Sequence, residues 1–144
     1  MQLTSPAFEH QGTIPAKYTC DGSNISPPLA ATDVPEAARS LVLLVDDPDA
    51  PGRTFVHWVV YDILPDVEKV QEDTDPGTVG SNDFGNVSYG GPCPPSGRHR
   101  YFFKLYALDR ELGLSPGQSK QQIEREMEGH IIAQAELIGL YARI

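Results

Sequence analysis

The residues best suited to chemistry are Asp47, Asp49, His57, His99 and Tyr101, each standing where an apolar run meets a turn-forming stretch. Residues 41–45 are an unbroken leucine and valine run, the pattern of a strand buried on both faces. The run ends in Asp46-Asp47-Pro48-Asp49-Ala50-Pro51, three acids within four residues. Burying charge is costly, so these acids are expected at a strand end, within reach of partners or solvent. Two prolines fix the backbone there and remove two donors, which predicts a rigid loop. Because side chains alternate along a strand, Asp47 shares a face with Leu41, Leu43 and Val45, and His57 with Phe55, Val59, Tyr61 and Ile63. His99 likewise falls with Tyr101, Phe103 and Leu105. If the three strands are neighbours, their ends converge on a pocket with an apolar floor and a rim of one carboxylate, two imidazoles and a phenol. Parity alone does not supply that adjacency.

Several chemistries fit such a rim. Two histidines with Asp47 or Asp49 have the composition of a facial metal triad, but no local His-x-His or His-x-x-x-His pair supports one, and no metal site is assigned. A histidine with an aspartate is a general base, yet no serine or cysteine has a nucleophile setting such as G-x-S-x-G. Only Cys93, six residues before His99, keeps a thiol nucleophile in view. The third chemistry is anion binding: imidazole N–H groups, the Tyr101 hydroxyl and loop backbone N–H groups donate to a phosphoryl or carboxylate group. Gly90-Gly91 offers backbone that approaches a ligand closely, and a nearby Asp47 would hold a histidine in its donating form. Any one of these residues is most simply a satisfied polar group at the core edge; taken together they favour a binding site. Arg98 and Arg100 are expected to be solvated or paired with surface acids, and Trp58 to belong to the core.

The elements that position these residues read as mainly β. A chain of 144 residues with thirteen glycines and thirteen prolines fits a single domain, 1–144, of many turns and short strands. Strands are expected at residues 41–46, 55–63, 100–108 and 131–141, with an edge strand in 2–8 and a weak one near 77–80. A long turn-rich loop covers residues 18–28. Ser115-Pro116-Gly117-Gln118 has the form of a capping box and predicts one short helix before the last strand, running to about Glu128 with Gly129 as its stop. Ile123 and Met127 give it an apolar seam. A net charge of −9, with no basic run among eleven Lys and Arg residues, argues against nucleic acid as a partner. No stretch approaches membrane-spanning length and no basic-then-apolar segment opens the chain, so a cytoplasmic protein without integral membrane association is expected. Cys20 and Cys93 are too few for a disulfide framework; two reduced thiols is the simpler reading and a single bond between them the alternative.

Asp47-Pro48-Asp49-Ala50-Pro51 followed by His57-Trp58-Val59-Val60, and Gly91-Pro92-Cys93-Pro94-Pro95-Ser96-Gly97-Arg98-His99-Arg100-Tyr101, resemble the two signature segments of the phosphatidylethanolamine-binding protein family, in its short bacterial and archaeal branch. Lys17-Tyr18-Thr19-Cys20-Asp21-Gly22, Ile25-Ser26-Pro27-Pro28-Leu29 and residues 101–109 extend the resemblance along most of the chain. It implies an antiparallel β-sandwich with Greek-key links, and a pocket at Asp47, His57, His99 and Tyr101. Gly91 matches a loop glycine whose backbone faces the anion, and Ala50-Pro51 the position of a cis peptide. The chain departs from longer relatives in stopping just after its last strand and in having Ala31 where many have tryptophan, so an open pocket is expected. The function implied is a non-enzymatic binding module for a phosphoryl or other small anionic group, without a cofactor, and with a role in regulating signalling. The alternative is inhibition of a protease or kinase through surface loops. Apolar positions on the last strand, such as Ile138 and Leu140, hint at a homodimer.

Overall fold

The computed structural model describes residues 1–143. Among the described residues, nine strands form two sheets, with one α-helix against the larger. The strands are β1 (Gln2–Thr4), β2 (Gly12–Thr13), β3 (Leu29–Thr32), β4 (Ser40–Asp47), β5 (Phe55–Ile63), β6 (Lys69–Val70), β7 (Thr78–Val79), β8 (Arg98–Leu108) and β9 (Ile131–Ala142); the helix, α1, is Lys120–Met127. The small sheet runs β1-β3-β6 and the large one β2-β9-β8-β4-β5-β7. Every pairing is antiparallel except that of β2 with β9, which is parallel and makes the large sheet mixed.

β4 lies between β5 and β8, and all eight of its residues are buried. Leu41, Leu43 and Val45 meet the small sheet through Leu3, Leu29 and Ala31, while Val42 and Leu44 meet Ile123 and Met127 of α1. A strand covered on both faces has no polar side to alternate with, which is why its sequence is a continuous apolar run. The apolar run stops at the acids but the strand carries on through two of them: Asp46 (1% exposed) and Asp47 (3% exposed) are the last two residues of β4, buried at its end. Each is tolerable because partners meet it: Asp46, on the helix side, receives Lys120 Nζ at 2.8 Å and Lys104 Nζ at 3.3 Å.

The helix begins four residues later than the sequence predicts. Ser119 and Gln122 form the capping box, with Gln122 N donating to Ser119 Oγ at 3.2 Å and Ser119 N to Gln122 Oε1 at 2.7 Å. Gly117 sits at φ 93°, which a helix does not accept, so Pro116-Gly117 makes a turn first. Gly129, at φ 77°, follows the helix end as expected. The N-terminal edge strand is shorter than predicted, ending at Thr4 before Pro6. Among the described residues no helix is long and apolar enough to cross a membrane.

Candidate functional site

The cavity at the end of β4, β5 and β8 owes its shape to one extra residue. Val45 pairs with Trp58 but Asp46 pairs with Val56, so His57 has no partner on β4 and forms a β-bulge. Alternation breaks at that point. Phe55 pairs with Asp47 and shares its face, while Val59 and Tyr61 pack on the helix side. This corrects the parity reading, which set His57 with Val59 and Tyr61. The His57 ring instead packs on Phe55 and Tyr101, with centroids 5.0 and 5.2 Å away. The structure thus brings Asp47, His57, His99 and Tyr101 together, around a cavity of about 340 Å³. A larger cleft of about 560 Å³, between β3 and the 65–69 turn, is lined by no histidine, cysteine or tyrosine.

His57 Nδ1 lies 2.7 Å from the Gly90 carbonyl oxygen, which can only accept, so Nδ1 carries a proton. Burial lowers the His57 pKa below its ordinary value, against the opposing pull of that carbonyl and of the Asp47 charge. The ring is therefore neutral near pH 7, and Nε2 bears a lone pair with no hydrogen bond from the described residues. Tyr101 is the second open group. Its hydroxyl is buried and has no partner among the described residues. Burial first, then the charges of Asp47 and Asp49, push its pKa upward, so the hydroxyl keeps its proton.

His99 and Asp47 satisfy one another. His99 Nδ1 is 2.6 Å from Asp47 Oδ2, and its Nε2 is 3.1 Å from the Ser96 carbonyl oxygen, so both ring nitrogens face acceptors within the protein. Asp47 Oδ1 accepts from Asp49 N at 2.7 Å, closing a turn at the start of the 48–54 loop. Among the described residues there is no cis peptide bond, so the expected cis Ala50-Pro51 is absent. Side-chain hydrogen bonds hold the loop instead.

Two predicted site residues are engaged elsewhere. Asp49 accepts from Arg100 N, Nε and Nη2, each at 2.9 Å, and does not line the cavity. The Arg100 guanidinium holds the Asp49 pKa down to about 2. The Gly91 N–H, expected to face the anion, donates to Asn24 Oδ1 at 2.9 Å. Glycine is required there because a Cβ would overlap Asn24 Oδ1 and the Tyr18 carbonyl. The 18–28 loop thus braces the 90–97 loop from behind. Cys20 and Cys93 complete the brace as a disulfide, which corrects the expectation of two reduced thiols; Cys20 N also donates to the Pro92 carbonyl at 3.1 Å.

Phe84 was missed in the sequence. It lines the cavity and packs edge-on against Phe55, 4.7 Å between centroids. The only signal was its isolation: a lone aromatic among Ser81-Asn82-Asp83 and Gly85-Asn86, with no apolar neighbour to bury it. Among the described residues, no group of three His, Cys, Asp or Glu has the geometry to hold a metal ion.

Together these features define a mainly β protein of two sheets, with a cavity of imidazole, carboxylate and phenol where three strands of the larger sheet meet. Residues 4–142 match the family model described as phosphatidylethanolamine-binding protein. The UPF0098 protein of Methanothermobacter thermautotrophicus is 51% identical, with 99% of both chains covered. That of Aquifex aeolicus is 53% identical over 99% of this chain and 89% of its own. The crystal structure of a phosphatidylethanolamine-binding protein homologue from Chlamydia trachomatis superposes with a TM-score of 0.96 at 46% identity, covering 99% of this chain and 97% of the other. YbcL of E. coli, described as a new member of the mammalian family, gives 0.91 at 31% identity, covering 99% and 98%. The chain belongs to the phosphatidylethanolamine-binding protein family.

Proposed function

We propose that the chain is a non-enzymatic binding module whose cavity takes a phosphoryl or other small anionic group. The observation that carries this reading is the buried Tyr101 hydroxyl without a partner. Leaving a buried donor unsatisfied costs about 1–3 kcal/mol, a cost that a ligand oxygen placed there removes. His57 Nε2 stands beside it as a bare acceptor, so the anion arrives with its own proton, or His57 takes one up as the anion binds. Asp47 and His99 act behind these two groups, each saturating the other and fixing the cavity wall. With Cys93 tied into a disulfide, the one thiol candidate for a nucleophile is not free, which supports binding over turnover.

The test is a titration with inorganic phosphate and with phosphorylethanolamine, following the imidazole resonances of His57 and His99. Saturable shifts that disappear in Tyr101→Phe and His57→Ala are expected. Absence of any shift at millimolar ligand overturns the reading. A second reading, inhibition of a protease or kinase, is favoured by the 18–28 loop, whose exposed residues 21–24 are held by the disulfide and by Asn24. An inhibitory activity that survives in the His57→Ala protein would separate the two. The half-buried Ile138 and Leu140 lie opposite Phe102 and Arg100 on the outer face of β8 and β9; sedimentation tests whether a second copy covers them. For location, the disulfide favours an oxidising compartment, or the disulfide-tolerant interior of a hyperthermophile, over the cytoplasm of an ordinary cell.

A further inference from the structure

We propose that Lys120, on the opposite face of the large sheet from the cavity, is a positioning residue for His57: by occupying Asp46 it excludes the strand register in which His57 would turn away from Tyr101. The claim concerns how the cavity is built, and it rests on the anion reading above only where binding serves as a readout.

Two registers compete at the end of β4 and β5. Leu43, Leu44 and Val45 pair with Val60, Val59 and Trp58, and one more regular step would set Asp46 opposite His57. There the imidazole would lie on the helix side, beside a carboxylate that is 1% exposed and needs a partner. The structure instead skips His57 and pairs Asp46 with Val56, whose side chain joins Val42, Leu44, Ile123 and Met127. A bulge gives up regular ladder pairing, so something must make the regular register worse. Asp83 and Gly90 hold the bulged backbone from outside: Asp83 Oδ2 accepts from Val56 N at 2.7 Å, and Gly90 N donates to the His57 carbonyl at 3.0 Å. Neither bond removes the attraction between an imidazole and a buried carboxylate.

Lys120 removes it. Its Nζ donates to Asp46 Oδ2 at 2.8 Å, and Lys104 Nζ approaches the same oxygen at 3.3 Å. The Lys120 side chain is only 16% exposed, against 29% for Lys104, so its stem fills the space beside Asp46 while its charge satisfies the acid. Burial disfavours that charge, but the bond to Asp46 and the charges of Asp46 and Glu124 outweigh burial and hold the Lys120 pKa above the ordinary 10.5. An ammonium fixed there repels a protonated His57 and competes with a neutral one for the same acceptor.

Helix stability does not account for Lys120. It is the first residue of α1, where the helix dipole favours acids over cations, and no acid stands in that first turn. Its place is nonetheless set. Ser119 caps the helix, Ser81 N donates to the Gln118 carbonyl at 2.9 Å, and Gly117 N donates to the Val79 carbonyl of β7 at 2.9 Å. A cation held at the unfavourable end of a helix and directed at Asp46 answers to Asp46, not to α1.

The test follows the ring nitrogens of His57 and its proton contacts with the Phe55 and Tyr101 rings by NMR, on the disulfide-bonded full chain and its variants. In Lys120→Met those contacts are expected to be lost and phosphate affinity to fall about tenfold, while Lys120→Arg keeps both. Lys120→Gln, which retains a donor but not the charge, should show the same change to a smaller degree and serves if the methionine variant does not fold. Adding Asp46→Asn to Lys120→Met should return His57 to its contacts, because the carboxylate that draws it away is gone. Ile123→Val is the control for loosened packing of α1: its urea midpoint should fall with the His57 signals unchanged. Parent-like His57 contacts in both Lys120→Met and Lys120→Gln, a double variant as displaced as the single one, or the same displacement in Ile123→Val would each overturn the assignment. If the parent protein binds no phosphate, the anion reading fails and the imidazole contacts alone decide the role of Lys120.

Discussion

Tyr101 and His57 are the two residues whose chemistry the fold leaves unfinished, and each makes a prediction. Tyr101→Phe removes a buried hydroxyl that has no partner. Removing an unsatisfied group relieves its desolvation cost, so the variant should be as stable as the parent or more so, by up to about 1–3 kcal/mol in urea unfolding, while losing roughly tenfold in phosphate affinity. A purely structural tyrosine would show the reverse pattern, lost stability with unchanged binding. For His57 the sign follows from burial, which holds its pKa below the ordinary value of 6.5. If the ring gains a proton when an anion binds, phosphate affinity should rise as pH falls from 8 to 6, and His57→Gln should flatten that profile. Without ligand the native ring binds fewer protons than the unfolded one, so its contribution to stability declines as pH drops below 6.5. Asp49 acts in a different window. Its pKa of about 2 lies below the ordinary 3.8, so its contribution is present above 3.8 and lost as pH falls toward 2. With the Arg100 side chain 53% exposed, solvent keeps that contribution small.

At the scale of elements, the site is made by a bulge and by two loops that brace one another. The bulge turns His57 out of the helix-side series to which its sequence parity assigns it and onto the face of Asp47 and Tyr101. Behind the cavity, the 18–28 and 90–97 loops meet so closely that Gly91 admits no side chain. Gly91→Ala should therefore cost about 1–3 kcal/mol in chemical unfolding, the range for overpacking a filled site. It should also weaken phosphate binding by displacing the cavity wall, although the glycine touches no ligand. Unchanged stability would mean the two loops separate freely. Legibility in the sequence varied with the reach of the cause. β4, β5, β8 and β9 were readable because burial imposes a pattern along each strand. The helix was readable as an amphipathic seam, but its start was misplaced because two serine-led sequences resemble a cap and only the positive φ of Gly117 separates them.

The whole molecule is three layers, small sheet, large sheet and helix, with the cavity where β4, β5 and β8 end together. Its one covalent tie joins Cys20 to Cys93, 73 residues apart, and closes the brace across the cavity wall. A cross-link over so long a loop restricts the unfolded chain, so reduction should lower stability by about 2–4 kcal/mol, read as a lower urea midpoint in dithiothreitol. An unchanged midpoint would show that the hydrogen bonds of the brace suffice alone. The sequence by itself determined the strands, the mainly β class, the family and the four polar residues that converge, because local patterning and motif order are properties of the chain taken in line. Tertiary structure alone decided which of those four remain open to a ligand. His99 and Asp47 satisfy each other, the Gly91 N–H is taken by Asn24, and Tyr101 is left bare, since hydrogen-bond partners here come from residues 52 to 67 positions away. It decided the face of His57 too: a period of two holds only while strands stay in register, and register belongs to the pair, not to either strand.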